Sequence, residues 1–193
     1  MYAYLTGKLT EVSPTEVVVE NQGIGYHVNI TVNTFASIKD LEQVKLYTHL
    51  VVREDAHILY GFADERERKL FQLLISVSGV GPNTARLILS SLTTEEAFNA
   101  ITSGNISVLQ SVKGIGGKTA QRIIVDLKDK LMKQEIGIEK VDVSHNTLKD
   151  EALSGLLILG FSKGMAEKAL NKVLKQTQID SVEGLIKEAL KIL

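Results

Sequence analysis

Cysteine and tryptophan are absent from this sequence of 193 residues, proline occurs only twice, and aromatic residues make up 5% of the positions. Without cysteine there can be no disulfide, no thiol nucleophile and no cysteine-ligated metal or iron–sulfur site. The histidines are scattered without metal-ligand spacing, at His27, His49, His57 and His145. We therefore expect neither a metal nor any other cofactor.

Long apolar runs are also missing, and none approaches the roughly 20 residues that a membrane-spanning helix needs. The first residues, MYAYLTGKLTEV, lack the basic stretch and apolar core of a secretory signal. These two absences predict a cytoplasmic protein. Apolar residues at 44% and charged residues at 23% are typical of a globular chain.

Charge is unevenly distributed, although the formal net charge is only -1. Residues 1–63 carry 4 basic and 7 acidic side chains, whereas residues 64–133 carry 10 basic and 7 acidic ones. An acidic segment followed by a basic one indicates a division of labour, with the basic segment as the candidate for an anionic partner.

Residues 1–63 have the pattern of short β-strands. The clearest is Ile24–Val32, in which apolar and polar residues alternate with the period of a half-buried strand. Four more strands are predicted at Tyr2–Leu9, Glu16–Glu20, Val44–Val52 and His57–Phe62. A short helix is predicted at Thr34–Leu41. Five short strands with one helical insertion predict a closed barrel of the OB type, since closure removes exposed edges.

From Asp64 onwards the apolar period becomes helical. Asp64 with Glu67, and Thr93 with Glu96, have the spacing of capping boxes at helix starts. Residues 64–133 are therefore predicted to form an all-helical domain whose last helix ends near Lys133. Residues 134–147 lack a sustained period and are interpreted as a linker.

Residues 148–193 are helical again and predict a small three-helix domain. Its predicted core consists of Leu153, Leu156, Leu157, Leu170, Val173, Leu174, Leu185, Ile186 and Leu190. The fold class is therefore α+β, with a barrel, a central helical domain and a small helical domain of the UBA type.

An internal repeat carries the strongest functional signal. Val77–Ile88 matches Val112–Ile123 at a constant offset of 35 residues, with the shared pattern apolar-x-Gly-apolar-Gly-x-x-Thr-Ala. A single Gly-x-Gly indicates only a tight turn, but the same pattern twice between helical segments is far more specific. Glycine allows positive φ and a close approach of the backbone to a ligand.

Each repeat predicts a helix, a glycine-rich hairpin and a second helix that starts just past Gly81 or Gly116. The first amides of such a helix have no intrahelical partner, and the helix dipole adds partial positive charge, so a phosphate fits there. Lys118 and Arg122 lie one turn apart and add charge at the second hairpin. Here the sequence resembles the helix–hairpin–helix family of non-specific DNA binders.

The segment Gly114–Thr119 also looks like the end of a phosphate-binding P-loop. That motif needs a glycine five residues before the glycine of Gly-Lys-Thr, where this chain has Val112. ATP binding by this chain is therefore not expected.

A predicted hairpin between the last two strands carries an acidic turn at Glu54 and Asp55. A lone acidic turn is usually a solvated turn, but beside a DNA-binding segment its carboxylates would repel phosphates.

Taken in this order, the whole chain resembles the RuvA family, the Holliday-junction-recognition subunits of branch-migration complexes. The local matches are HLVVREDAHILYGF at His49–Phe62, the two glycine-rich hairpins, and EALSGLLILGF at Glu151–Phe161. The resemblance implies a homotetramer, formed through the N-terminal domains, that holds a four-way junction open without catalysing a reaction itself. It also implies two protein partners, the ATP-driven motor RuvB and the resolvase RuvC.

The resemblance also implies roles for individual residues. Glu54 and Asp55 would form an acidic pin at the crossover, and Leu156, Leu159 and Phe161 would contact the motor. Phosphate contacts would be made by Gly79, Val80, Gly81, Asn83, Thr84, Gly114, Ile115, Gly116, Gly117, Lys118, Thr119 and Arg122. The family often has basic residues where this chain has Asn83 and Gly117, which lowers the local charge but leaves the backbone amides in place.

Two other classes of function remain open from the residues. Helix–hairpin–helix motifs also occur in DNA glycosylases, which need a catalytic Asp, and Asp126 and Asp129 lie on a helix rich in Lys and Arg where solvated salt bridges are expected. A single-strand binder using the barrel is the third class, and the acidic balance and few aromatics argue against it.

Overall fold

The computed structural model describes residues 2–138, 147–176, 179 and 181–193. The chain forms two compact units, Met1–Ile138 and Glu139–Leu193. The first unit begins with β1 (Tyr4–Val12), β2 (Glu16–Asn21), β3 (Ile24–Ile30), α1 (Val32–Ile38), β4 (Gln43–Val52) and β5 (His57–Phe62). It continues with α2 (Glu65–Ile75), α3 (Pro82–Ser91), α4 (Thr94–Ser103), α5 (Ile106–Gln110) and α6 (Gly117–Ile138).

The five strands close into a barrel in the order β1-β2-β3-β5-β4, which confirms the predicted OB-type architecture. The pairs are antiparallel except for β3 and β5, which run parallel where Asn29 faces Tyr60. The barrel core contains seven buried apolar residues, Val17, Val19, Val28, Ile30, Ile38, Val44 and Leu46.

Several strand boundaries differ from the sequence prediction. Strand β3 ends at Ile30, and Val32, predicted as its last residue, begins α1 instead. The reason is Thr31, whose hydroxyl accepts a hydrogen bond from the Thr34 amide at 3.0 Å and so caps the helix. Strand β1 continues past Leu9 to Val12.

Helices α2 to α6 share one hydrophobic core with the last strand of the barrel. The Phe71 ring on α2 lies 5.1 Å from the Tyr60 ring and 4.9 Å from the Phe62 ring, measured between centroids. The barrel and the helices that carry the glycine hairpins are thus packed into a single unit.

The two predicted capping boxes have different outcomes. Thr93 and Glu96 form the box at the start of α4, because each side chain bonds the backbone amide of the other. Asp64 caps α2 through the Arg66 amide, but Glu67 does not complete a box, and that prediction was wrong. The Glu67 side chain instead points into the protein and is 3% exposed.

Helix α6 runs to Ile138, whereas the sequence predicted its end near Lys133 and a linker from residue 134. Gln134 and Glu135 have high helix propensity, so the helix continues beyond the point where its apolar periodicity stops. The remainder of the predicted linker, 139–146, lies outside the described residues.

The second unit contains the three predicted helices, α7 (Thr147–Ile158), α8 (Lys163–Gln176) and α9 (Val182–Leu190). Its buried core comprises Ala152, Leu156, Ala166, Ala169, Leu170, Val173, Leu185 and Ala189. Three residues predicted for this core, Leu157, Leu174 and Leu190, are 41%, 41% and 42% exposed, so that part of the prediction was wrong. Alanines take their places because they let the short helices pack closely. Within the described ranges, no helix combines the length and apolar character that crossing a membrane requires.

Candidate nucleic-acid interface

The two glycine hairpins have the same backbone geometry. Gly79 and Gly114 both have φ of 90°, a conformation that side chains with a Cβ rarely adopt. In each hairpin the residue after this glycine donates its amide back across the turn, Val80 to the Val77 carbonyl and Ile115 to the Val112 carbonyl, both at 3.0 Å. The repeat in the sequence is therefore a repeat of structure.

The helices that follow the hairpins begin in the same way. The first intrahelical bonds run from Ala85 to the Gly81 carbonyl at 2.9 Å and from Ala120 to the Gly116 carbonyl at 3.0 Å. The amides before them belong to the first turn of an α-helix, which has no intrahelical acceptors. In α3 these are Asn83 and Thr84, and in α6 they are Gly117, Lys118 and Thr119.

Gly81 and Gly116 are glycines that the protein itself does not require. Gly81 has φ of −84° and ψ of 170°, an ordinary extended conformation, and Gly116 is not among the glycines with positive φ. A Cβ built on either residue meets no other atom within 4 Å in the part of the chain that the structure describes. The absent side chain therefore leaves room outside the protein, next to the free amides.

Two residues predicted to contact phosphate, Val80 and Ile115, have buried side chains. Their side chains are 4% and 5% exposed and lie in the helical core, and their amides already donate across the turns. Their side chains therefore anchor the hairpins, and a phosphate contact at either residue stays a prediction. The pattern "apolar between two glycines" signalled this burial, since an apolar side chain on an exposed loop needs a core to enter.

The two hairpins differ in side-chain charge. Lys118 and Arg122 are exposed at the start of α6, where they line a shallow groove with Gln121, Val125 and Asp126. At the first hairpin Asn83 is exposed and uncharged, and the basic residue one helical turn into α3 is Arg86. Its guanidinium donates to the Thr15 carbonyl at 3.1 Å and to Asn29 Oδ1 at 2.9 Å. The first hairpin thus offers backbone amides, whereas the second offers amides and two cations.

The acidic turn projects from the end of β4 and β5. The ladder between these strands ends at Val52 and His57, and the Arg53 amide closes the turn on the Ala56 carbonyl at 2.9 Å. Glu54 and Asp55 are both exposed at its tip. At the base of the turn Val51 and Ile58 pack against the helical core that holds the glycine hairpins.

The predicted partner-binding residues of the second unit fall into three environments. Leu159 is 58% exposed, and Phe161 is half-buried against the three-helix core. Leu156 is 0% exposed within the three-helix core, whereas Leu159 lies beyond the end of α7 at Ile158. Contact between Leu156 and the motor stays a prediction. Sequence reasoning missed Ile158, which is 87% exposed directly beside Leu159.

Asp126 and Asp129, the aspartates considered for a glycosylase, are both exposed on α6. Neither is enclosed in a pocket of the kind that holds a flipped base.

Three family models match the chain in order. They are the RuvA N terminal domain at residues 1–61, the SAM-like helix-hairpin-helix tandem at 71–129, and the RuvA C-terminal domain at 147–193.

Curated relatives match over nearly their full length. The relative from Christiangramia forsetii is 54% identical and that from Flavobacterium psychrophilum is 50% identical, with 99% of each chain covered in both comparisons. A relative from Bacteroides fragilis is 45% identical, again with 99% of each chain covered. All three are named Holliday junction branch migration complex subunit RuvA. The three matched domains and these identities show that the chain belongs to the RuvA family.

Proposed function

We propose that this chain binds four-way DNA junctions without regard to base sequence, as the junction-binding subunit of a branch-migration complex. One observation carries the proposal: two identical hairpins present free helix-start amides beside Gly81 and Gly116, where no side chain blocks the approach of a backbone. The names of the full-length relatives give the same assignment.

Main-chain amides at a helix start suit phosphate oxygens, because their dipoles point outwards and the helix adds partial positive charge. Such contacts position a duplex but carry no sequence information. A crossover that moves through any sequence needs this kind of grip. The side chains of Lys118 and Arg122 add sequence-independent charge at the second hairpin.

The acidic turn has the opposite effect on DNA. A carboxylate and a phosphate about 6 Å apart repel each other by roughly 0.7 kcal/mol in water and about 3 kcal/mol at an effective dielectric near 20. Glu54 and Asp55 would therefore keep strands apart at the crossover, as the acidic pin, while the glycine hairpins hold the arms.

A four-armed junction matches a homotetramer that offers one subunit to each arm, with the barrels at its centre. The second unit would bind the ATP-hydrolysing motor RuvB, and its exposed apolar residues Ile158, Leu159 and the half-buried Phe161 are the candidate contacts. The resolvase RuvC is a further proposed partner. In this assignment the chain itself performs no catalysis.

The proposal is tested by measuring the mass of the pure protein with and without a synthetic four-way junction, together with competition by duplex and single-stranded DNA. We expect a mass of four chains, or eight if two tetramers enclose the junction. We also expect the junction to compete far better than duplex of the same length, and single strands to compete least. A monomer that prefers single strands would overturn the proposal. Base release from damaged duplex by the pure protein would indicate an enzyme instead.

A further inference from the structure

Helix α3, which begins at the first glycine hairpin, is attached to the barrel at both of its ends. Near its start Arg86 donates from Nη1 to the Thr15 carbonyl and to Asn29 Oδ1, at 3.1 and 2.9 Å. At its end Asn33 Nδ2 donates to the Leu89 carbonyl at 2.6 Å and to the Leu92 carbonyl at 2.9 Å. The residues joined by these four bonds are 56 to 71 positions apart in the sequence, so the attachment is a feature of the tertiary structure.

A third bond reinforces the attachment at the end of α3. The Val32 amide, at the start of α1, donates to Ser90 Oγ at 3.2 Å. Asn33 satisfies two carbonyls of the last turn, which otherwise have no intrahelical partner. The barrel helix α1 therefore acts as the C-terminal cap of the helix that begins at the first hairpin.

The Nη1 atom of Arg86 donates both of its bonds to the barrel. Its acceptors are Asn29 Oδ1 on β3 and the Thr15 carbonyl in the turn before β2, so Arg86 connects α3 to the barrel. Lys118 and Arg122 at the second hairpin are exposed instead, and α6 packs against α2, α4 and α5. The helix after the first hairpin is thus bonded directly to the barrel, whereas the helix after the second hairpin packs on other helices.

The barrel also carries the acidic turn, so this attachment fixes the turn relative to the first hairpin. The Tyr60 hydroxyl of β5 lies 3.5 Å from Asn83 Oδ1 at the start of α3. A cleft of about 490 Å³ separates the hairpin from the β4–β5 ribbon, and its walls include Arg53, His57, Asn83 and Arg86. Arg86 lines this cleft, and its bonds together with those of Asn33 hold α3 to the barrel.

We propose that Arg86 and Asn33 are positioning residues that fix the number of base pairs between the phosphate grip of the first hairpin and the acidic turn. This inference rests on the proposed function. Successive base pairs are 3.4 Å apart, so a shift of α3 against the barrel by about 3.4 Å would move the point of strand separation by one step. With α3 held in place against the barrel, the subunit separates the strands at a single defined base-pair position relative to the crossover.

The test uses the full chain and immobile four-way junctions that carry one 2-aminopurine at successive positions from the crossover. This base brightens when it is unstacked. The variants are Asn33→Asp, which places an acceptor against two carbonyls, and Arg86→Met, which keeps the aliphatic stem but removes the donors. Asn99→Asp is the matched control, because Asn99 is exposed on α4 and the change in charge is the same.

For the wild type and Asn99→Asp we expect a signal concentrated at one step. For Asn33→Asp and Arg86→Met we expect junction affinity within about two-fold of the wild type, as for changes that touch no ligand. Their signal at the preferred step should fall about two-fold and appear at a neighbouring step, because two registers are then populated. If Asn33→Asp does not fold, Asn33→Ala replaces it in the same comparison.

The outcomes distinguish a failure of the proposed function from a failure of the positioning role. Failure of the wild type to bind the junction would overturn the proposed function. Tight binding by the wild type, with an unchanged signal profile in the folded variants, would overturn the positioning role. A shallower salt dependence in Arg86→Met would also overturn it, since Arg86 would then be a phosphate contact.

Discussion

The hydroxyl of Thr34 donates a hydrogen bond to Oε2 of Glu67 at 2.8 Å, linking the barrel helix α1 to α2. Thr31 donates to the other carboxylate oxygen at 2.5 Å, and Thr34 in turn accepts from the Ala63 amide at 3.1 Å. Burial raises the pKa of Glu67, the two hydroxyl bonds lower it in part, and the charge of Asp64 raises it further. The net effect raises the pKa of Glu67 above its ordinary value of 4.5.

The first prediction concerns the pH dependence of stability. A carboxyl whose pKa is raised by folding favours the native state below its unfolded pKa, and this contribution is lost as pH rises through the folded pKa. We therefore expect the free energy of unfolding to decline between pH 4.5 and neutrality by more in the wild type than in Glu67→Gln. Urea unfolding followed by tyrosine fluorescence measures it, because all five tyrosines lie in residues 1–63 and there is no tryptophan.

The matched control is Glu11→Gln, on the exposed face of β1. Its pH profile should follow the wild type. The same decline in all three proteins would show that Glu67 does not contribute to it.

The second prediction separates the two kinds of glycine in a hairpin. Gly114→Ala places a Cβ on a residue with φ of 90° and should lower the free energy of unfolding by about 1–2 kcal/mol. Gly116→Ala carries no such strain and should leave stability within about 0.5 kcal/mol, but its Cβ would occupy the space that the phosphate needs. Urea unfolding and junction titration of both variants distinguish these effects.

Gly164→Ala is the control for this pair, because Gly164 is an equally open glycine in the second unit. Its junction affinity should equal that of the wild type. Unchanged binding by Gly116→Ala would remove the site from the hairpin.

The third prediction concerns salt. If each of four subunits neutralises about two phosphates, log K should fall against log salt with a slope near −7, since each phosphate contributes about −0.9. Lys118→Gln or Arg122→Gln alone should make the slope shallower, and the double variant should make it shallower still, while the helix-start amides of both hairpins keep part of it. Lys130→Gln, further along the exposed side of α6, should leave the slope unchanged. A slope in the double variant equal to that of the wild type would show that Lys118 and Arg122 do not contact phosphates.

The fourth prediction concerns the acidic turn. Replacing Glu54 and Asp55 by Asn removes the repulsion between the turn and phosphates, so junction binding should be kept or strengthened. Motor-driven branch migration should be altered, because strands are no longer held apart at the crossover. Gel-shift titration and a migration assay on the same preparations measure both quantities.

Asp40→Asn with Glu42→Gln removes the same amount of charge from another exposed part of the barrel and should change neither quantity. Loss of binding by a turn variant that keeps the mass of the wild-type assembly would mean that the turn contacts DNA favourably rather than repelling it.

The parts of the fold that sequence could predict are those with local signals. Period-two alternation located the clearest strand, and the 35-residue repeat located both hairpins, in each of which the structure gives one glycine a positive φ. The Thr93 cap was also readable, because a capping box is completed within four residues. Phosphate contacts, the acidic pin and the partner surface remain predictions that the experiments above address.

The features that sequence did not reveal depend on residues far apart in the chain. Glu67 has the spacing of a capping residue, yet hydroxyls 33 and 36 residues away hold it in the interior. Arg86 had no role assigned from the sequence, and its bonds to oxygen acceptors of the barrel become visible only in the fold. In the second unit, Leu156 and Leu159 could not be told apart by hydropathy, and only the packing of three helices buried one and exposed the other.

The base of the β4–β5 ribbon has a mechanical consequence. Because Val51 and Ile58 pack against the core that holds both glycine hairpins, a force on the tip of the ribbon is resisted by the same core that, in the proposed function, supports the phosphate contacts. Thrust from a moving strand would thus be transmitted as rigid displacement of the whole unit rather than absorbed by bending of the ribbon.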